Sequence, residues 1–116
     1  MTTVTYRGKD KIFELTAEGH ADFAKNGEPD IVCASLSILS YQLGQILQDM
    51  FNERKLVTKP KIVLHDGTVR LKCIPHKEYR AEAAYAFHYA LIGFQLLAKN
   101  HPENVEVKCR KEIERK

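Results

Sequence analysis

Two long segments with helical periodicity, each preceded by a pair of short alternating segments, constrain the fold of this chain most strongly. From Ile31 to about Phe51, apolar residues recur at alternating spacings of four and three, which draws one apolar stripe along a helix. The segment from Tyr79 to Lys99 has a similar stripe, and Asn100-His101-Pro102 stops it. The sequence therefore predicts two helices.

The segments before each helix alternate apolar and polar residues, which is typical of strands with one buried face. The stretch from Val4 to Ala17 breaks at Gly8-Lys9-Asp10, and the stretch from Ile62 to Cys73 turns at Asp66-Gly67, a strong hairpin signal. A short last strand covers 105–107. The predicted order is ββαββαβ, and the fold class is α+β, with a small mixed or antiparallel sheet of about five strands covered by two helices.

Each predicted helix also carries a stripe of small residues, along which a neighbouring element can approach the backbone closely. The two stripes consist of Cys33, Ser37, Ser40 and Gly44 in the first helix, and of Ala83, Ala86, Ala90 and Gly93 in the second. The helices are expected to pack closely there, against each other or across a dimer axis. Because one five-stranded sheet does not cover all of their apolar faces, we expect a homodimer.

Length and charge limit the number of domains and the kinds of partner that this chain can have. With 116 residues, of which 44% are hydrophobic, the chain is long enough for one core and too short for two, so residues 1–116 are expected to form a single domain. The formal net charge is +3, and basic residues cluster only in a short tail from about residue 108. Such a tail is typical of a solvated chain end, and it does not favour a nucleic-acid partner except indirectly.

Cysteine usage and the amino terminus indicate the compartment. The three cysteines, Cys33, Cys73 and Cys109, lack the close pairing of a disulfide framework or a zinc site, which favours a reducing cytoplasm. The first residues carry no basic segment followed by an apolar core, and the sequence shows no apolar run of membrane-spanning length. A membrane partner is not expected.

The candidate chemistry lies where a turn-forming run gives way to the first helix. Asp30 is the predicted N-cap, and Cys33 follows in the first turn, where the helix dipole stabilises a thiolate. The Cys33 amide is expected to be free to stabilise an oxyanion. His20, within Gly19-His20-Ala21, is placed to exchange a proton. The competing interpretations are that Cys33 is a small buried residue and that His20 is an ordinary surface histidine.

Other chemistries find less support in the sequence. A metal site formed by His20, Asp30, Cys33 and Asp22 is a weaker alternative, because these residues do not have familiar ligand spacings. The sequence has no glycine-rich phosphate loop, no Gly-x-Ser-x-Gly elbow and no aromatic and basic pattern of an RNA-binding sheet. No metal and no organic cofactor are expected.

The segments Glu18-Gly19-His20-Ala21 and Asp30-Ile31-Val32-Cys33-Ala34, with Gly27 between them and Ser37 after them, resemble the signature of the bacterial ribosomal-processing cysteine protease family, Prp. The resemblance reaches most of the chain. It implies an endopeptidase that removes a short N-terminal extension from a large-subunit ribosomal protein, with Cys33 as nucleophile and His20 as general base. Phage members of the family imply an alternative, the processing of a virion protein.

Further site residues come with this resemblance. Supporting roles are expected for Gly19, Asp30, Ala34 and Ser37, and a substrate loop that orders over an extended peptide is expected to include Asp22, Phe23, Asn26 and Gly27. A third residue that orients His20 is not evident. Asp30 is nearest in sequence although its capping role competes, and Asp22 is a weaker candidate.

Two rival functions stay open on the sequence alone. One is a non-catalytic, ribosome-associated binding module in which Cys33 is merely packed. The other is a cysteine hydrolase or transferase that acts on small amides. Selective reactivity of the Cys33 thiol separates the enzyme hypotheses from the binding module.

Overall fold

The computed structural model describes residues 1–9, 11–25 and 27–111, without the side chains of 110 and 111. Its elements are β1 (Thr2–Lys9), β2 (Ile12–Glu18), α1 (Ile31–Asn52), β3 (Lys61–His65), β4 (Thr68–Cys73), α2 (Arg80–Asn100) and β5 (Val105–Lys111). A turn of 3₁₀ helix at Lys77–Tyr79 leads into α2. The predicted ββαββαβ order and the α+β class are confirmed.

The five strands form one sheet in the order β3-β4-β2-β1-β5. Both predicted hairpins are present, and β2 joins them by antiparallel pairing with β4, for example Leu15 opposite Leu71. The last strand, β5, runs parallel to β1 at the other edge. The sheet is therefore mixed, the first of the two predicted alternatives.

The alternating pattern gives the sheet one apolar and one polar face. Both helices pack on the apolar face and on each other, and they bury a single core that includes Val4, Leu15, Leu71, Phe87 and Phe94. Each such side chain contributes about 1.5–3 kcal/mol through its removal from water. The opposite face carries polar residues such as Thr5, Arg7 and Glu14.

Both small-residue stripes are used inside the chain. A Cβ atom at Gly44 of α1 would lie 3.4 Å from Ile62 and 3.5 Å from Leu71, so this end of the stripe rests directly on β3 and β4. A Cβ at Gly93 of α2 would lie 2.7 Å from Leu39, so Gly93 receives that side chain from α1. The close approach predicted from the stripes is confirmed, and Gly93 is used in the contact between the two helices of one chain.

The predicted basic tail begins inside the sheet. Residues from Lys108 to Lys111 belong to β5 and pair with β1 from Thr5 to Gly8. A strand through these residues was missed because their polar composition hides the alternation that marks Val105 and Val107. The remaining tail positions, 112–116, lie outside the described residues.

By length and composition α1 qualifies as a membrane span, with a mean hydropathy of 1.3 over its most apolar window, which the sequence analysis missed. One helix of this kind is weak evidence for a membrane span, because a helix that covers a protein core passes the same test. Its residues Val32, Leu43 and Leu47 are at most 1% exposed against the rest of the protein. The core thus accounts for the buried stripe of α1, whereas Ile31, Ile38 and Tyr41 of the same helix are more than half exposed.

Candidate active site

The two residues singled out from the sequence lie on one cavity. His20 follows the end of β2, Cys33 lies in the first turn of α1, and both line a cavity of about 210 Å³. The β3–β4 turn, residues 66 and 67, completes the wall opposite α1, and Ser37, which the sequence proposed as a supporting residue, also lines the cavity. A thiol and an imidazole in one open cavity are the components of nucleophilic catalysis.

The small-residue stripe of α1 explains why a cavity exists at this place. At Gly44 the sheet closes on the helix, whereas Cys33, Ser37 and Ser40, one to three turns earlier, line the cavity. Their short side chains leave the space that longer residues would fill. The stripe thus serves packing at one end and the candidate site at the other.

Asp30 caps α1 as predicted and also holds the preceding loop. Its Oδ1 accepts from the Cys33 amide at 2.9 Å, and its Oδ2 accepts from the amides of Phe23 and Ala24 at 3.0 and 3.3 Å. Burial acts to raise the pKa of this carboxyl, but the hydrogen bonds from Cys33, Phe23 and Ala24 outweigh it and hold the pKa below its ordinary value. Asp30 therefore stays ionised and ties the loop to the helix.

These contacts correct two expectations. The Cys33 amide is not a free oxyanion donor in this structure, because the Asp30 carboxylate already accepts from it. Among the described residues no hydrogen bond or ion pair joins Asp30 to His20, and both Asp30 oxygens accept from backbone amides. Capping prevailed over both roles because a carboxylate at the N-cap satisfies donors that the helix leaves free.

His20 lies against the β3–β4 turn. Its Nδ1 is 3.8 Å from Oδ1 of Asp66, and its side chain is 55% exposed. A Cβ atom at Gly67 would lie 3.0 Å from Nε2, so the ring lies directly against the backbone of the turn. The turn, rather than Asp30, is the element that borders the imidazole.

Gly19 has a backbone role beside His20. Its φ of +96° disfavours any side chain, and a Cβ there would collide with the carbonyl oxygen of Met1. Its N–H donates to the Gly67 carbonyl oxygen at 3.0 Å, which ties the end of β2 to the β3–β4 turn. Gly19 thus supports the site by letting the chain pass close to its neighbours.

The start of the expected substrate loop is anchored to other parts of the chain. Asp22 has a positive φ of 56° and lies 3.4 Å from the terminal amine of Met1. The ring of Phe23 meets His101 edge-on at 5.1 Å, and Asn104 donates to the Ala21 carbonyl oxygen at 2.9 Å. These contacts therefore hold the first residues of the loop in place.

The remaining predicted residues contribute less. Gly27 has a positive φ of 78° with open space around it, and Asn26 lies outside the described residues. Ala34 is exposed, and its N–H donates to the Asp30 carbonyl oxygen at 3.0 Å as the first bond of the helix. Neither the Gly27 nor the Ala34 side chain adds a chemical group to the cavity.

In the part of the chain that the structure describes, no hydrogen bond joins the Cys33 thiol to the His20 ring. Catalytic hydrogen bonds are often loose before substrate binds. Among the same residues, no three His, Cys, Asp or Glu side chains gather closely enough to hold a metal ion. The arrangement is that of an open thiol and imidazole site.

Sequence reasoning missed the contribution of the second hairpin. The sequence analysis assigned Asp66 to a turn and gave His65 no role, yet both line the cavity, as does Tyr41. The signal that would have found them is the pairing of β2 with β4, which sets Glu18 opposite Thr68 and so brings the residues after β2 beside the turn.

Comparison with known proteins places this geometry in a family. The family model described as cysteine protease Prp matches residues 1–106. A crystal structure from Streptococcus mutans has 26% identity and a TM-score of 0.66, covering 96% of this chain and 95% of that one. No curated protein matches the chain.

Two further structures are of an essential ribosomal processing protease Prp from Staphylococcus aureus. The one in complex with a covalently linked product peptide has 23% identity and a TM-score of 0.72, and covers 95% of this chain and 100% of that one. The one in complex with a substrate peptide has 21% identity and a TM-score of 0.63, with the same coverage. At these identities the likeness shows the fold.

Replacement of Asp30 should loosen both the helix start and the loop. We expect Asp30→Ala to lower the free energy of unfolding by about 1–2 kcal/mol, because the cap is lost. The effect should be full above the ordinary pKa of 3.8 and shrink as the pH falls through the lower pKa of the folded state, since wild-type Asp30 is then protonated as well. Urea unfolding at several pH values measures this difference.

Asp30→Asn and Glu28→Ala are the matched controls. Asparagine keeps one oxygen for the helix cap, so it should lose less stability than alanine. Glu28 is an exposed carboxylate of the same loop, and its removal should change stability by less than about 0.5 kcal/mol. Equal stability of Asp30→Ala and the wild type would contradict the capping account.

Proposed function

The chain belongs to the Prp family of cysteine proteases, and from that premise we propose that it removes a short N-terminal extension from a bacterial large-subunit ribosomal protein, with Cys33 as nucleophile and His20 as general base. The observation that carries this proposal is the shared cavity, to which β2 contributes His20 and the first turn of α1 contributes Cys33. The ribosomal substrate comes from the resemblance and from the name of the Staphylococcus aureus protease.

The proposed reaction needs only protein groups and water. His20 takes the proton of the Cys33 thiol, and Sγ attacks the scissile carbonyl carbon. The tetrahedral intermediate collapses as His20 gives the proton to the leaving amine, which leaves a thioester on Cys33. Water, deprotonated by His20, then attacks the thioester, and the products are a carboxylic acid and the free thiol. No cofactor enters this sequence.

Cys33 lies at the N-terminal end of α1, next to the Asp30 carboxylate. The N-terminus of α1 carries the positive end of the helix dipole, and the thiol lies within its first turn. The Cys33 amide is held by Asp30, so the developing oxyanion is stabilised by this dipole unless the substrate displaces the carboxylate. Asp30 thus holds the loop and the start of α1 together next to Cys33.

The cavity suits a peptide that crosses the site in extended form. Its floor has apolar side chains from both layers, Ala17, Leu36 and Leu64, while Ser37 and Thr68 supply polar groups. A floor of this kind accommodates one apolar side chain of the substrate, and the polar groups can meet its backbone. We assign this cavity to residues next to the scissile bond.

We further propose that the segment from Asp22 to Pro29 closes over the bound peptide. Its base is held by Asp30 and His101, whereas Gly27 lies in open space. In the Cys33→Ala variant, a substrate peptide should slow amide hydrogen exchange at Lys25 and Gly27. Unchanged exchange in this segment with peptide bound would contradict closure.

A homodimer is part of the proposal. The outer face of α2 exposes Tyr85, Tyr89 and Leu96 by 61%, 66% and 54%, with Ile92 between them. An apolar helix face of this kind marks an interface more often than a solvated surface. We expect light scattering to give twice the chain mass of 13.3 kDa. Tyr89→Lys with Leu96→Lys should give a monomer, whereas the exposed control Val57→Lys should not. A wild-type monomer would contradict the proposal.

Cleavage of a peptide that carries the ribosomal N-terminal extension tests the proposed roles. Cys33→Ala should abolish cleavage, and His20→Ala should lower kcat by roughly 10²–10⁴-fold because proton transfer is lost. The matched controls Cys109→Ala and His88→Ala, both outside the cavity, should retain activity. Cleavage that survives in Cys33→Ala would overturn the nucleophile, and cleavage of a virion-protein peptide alone would establish the phage-type substrate.

A further inference from the structure

We propose that the β3–β4 turn, Asp66-Gly67, positions the His20 imidazole, and that in the substrate complex the Asp66 carboxylate accepts a hydrogen bond from Nδ1–H of His20. The proposal deepens the proposed function and rests on the roles given there to Cys33 and His20. It makes Asp66 a positioning residue that acts through His20.

Three contacts join His20 to this turn. Oδ1 of Asp66 is 3.8 Å from Nδ1. The ring also lies against Gly67, where a Cβ would lie 3.0 Å from Nε2 and 3.2 Å from Cε1. The backbone next to His20 is tied to the same turn, because Gly19 N–H donates to the Gly67 carbonyl oxygen at 3.0 Å. The His20 side chain and the backbone next to it are therefore both in contact with the β3–β4 turn.

The other two aspartates near His20 in sequence are already engaged. Asp30 accepts from three backbone amides, and Asp22 pairs with the terminal amine of Met1. Asp66 has no other ion pair or hydrogen bond within the part of the chain that the structure describes, and its side chain is 96% exposed. Its carboxylate is therefore available to the ring.

A hydrogen bond between Asp66 and His20 would assist the proposed proton transfer in two ways. A carboxylate that accepts from Nδ1–H selects the tautomer in which Nε2 carries the lone pair, and Nε2 then takes the thiol proton. The same carboxylate stabilises the imidazolium that forms. The other titratable groups that line the cavity are Cys33, Tyr41 and His65, and among the described residues none of them shares a hydrogen bond with the ring.

The distance of 3.8 Å is longer than a hydrogen bond. Catalytic hydrogen bonds are commonly long in the free enzyme and tighten in the substrate complex. At position 67 a φ of +77° favours glycine, and a Cβ there would be in tight contact with the ring, so glycine leaves the ring room beside the turn.

Steady-state kinetics on the cleaved peptide provide the first test. Asp66→Asn should lower kcat roughly 10-fold with KM changed by less than about twofold, because proton transfer is impaired while peptide binding is kept. Asp66→Glu should recover part of kcat. The matched control Glu18→Gln removes one charge from the opposite face of the sheet, and it should leave kcat unchanged.

Nitrogen-15 chemical shifts of the His20 ring provide the second test, measured in the Cys33→Ala variant with peptide bound and the ring neutral. The ring should be mainly the Nδ1–H tautomer, and adding Asp66→Asn should move it toward Nε2–H. A loss of kcat without this change overturns the proposal, since it points to turn stability instead. Wild-type kcat in Asp66→Asn overturns it too.

The His20→Ala variant distinguishes a failure of the Asp66 proposal from a failure of the proposed function. If His20→Ala keeps full activity, His20 is not the base and the proposed function fails. If His20→Ala is inactive while Asp66→Asn behaves like Glu18→Gln, the dyad holds and the positioning role alone is overturned.

Discussion

The antiparallel pairing of β2 with β4 is the constraint on which the site depends. Each hairpin is local, but this pairing joins the two hairpins into one sheet and fixes Glu18 opposite Thr68. The chain after β2 must then run beside the β3–β4 turn, which places His20 against Gly67. Because register is set by matching apolar faces, here Leu15 with Leu71, the packing of the core determines where the histidine lies.

The second partner, Cys33, is placed by the start of α1. Asp30 ends the loop and begins the helix, and the same carboxylate holds Phe23 and Ala24. Farther along, Gly44 lets the helix lie directly on β3 and β4, so the first turns of α1 lean over the end of the sheet. Cys33 and His20 come from separate elements that the sheet and the cap bring to one cavity.

Local signals were sufficient for the elements and for the helix cap. The alternation around Val4 and Leu15 and the stripe of α1 depend on neighbours in sequence, and a cap such as Asp30 acts within one turn. The parallel pairing of β5 with β1 and the extent of β5 depend on contacts between distant segments, which alternation does not encode. Asp66 was missed for the same reason, since its closeness to His20 arises from the β2–β4 pairing. The chemistry of a thiol at a helix start and a nearby histidine suggested the link between Cys33 and His20, and the family resemblance assigned their expected roles.

The most direct test of the central claim is the reactivity of each cysteine toward iodoacetamide near neutral pH, followed by mass spectrometry. All three cysteines are free. Burial raises the pKa of Cys73 to about 12, so that thiol should stay unmodified, and exposed Cys109 provides the reference rate. The account predicts that Cys33 reacts faster than Cys109 and that His20→Ala slows Cys33 alone. Equal rates at Cys33 and Cys109, unchanged by His20→Ala, would contradict it.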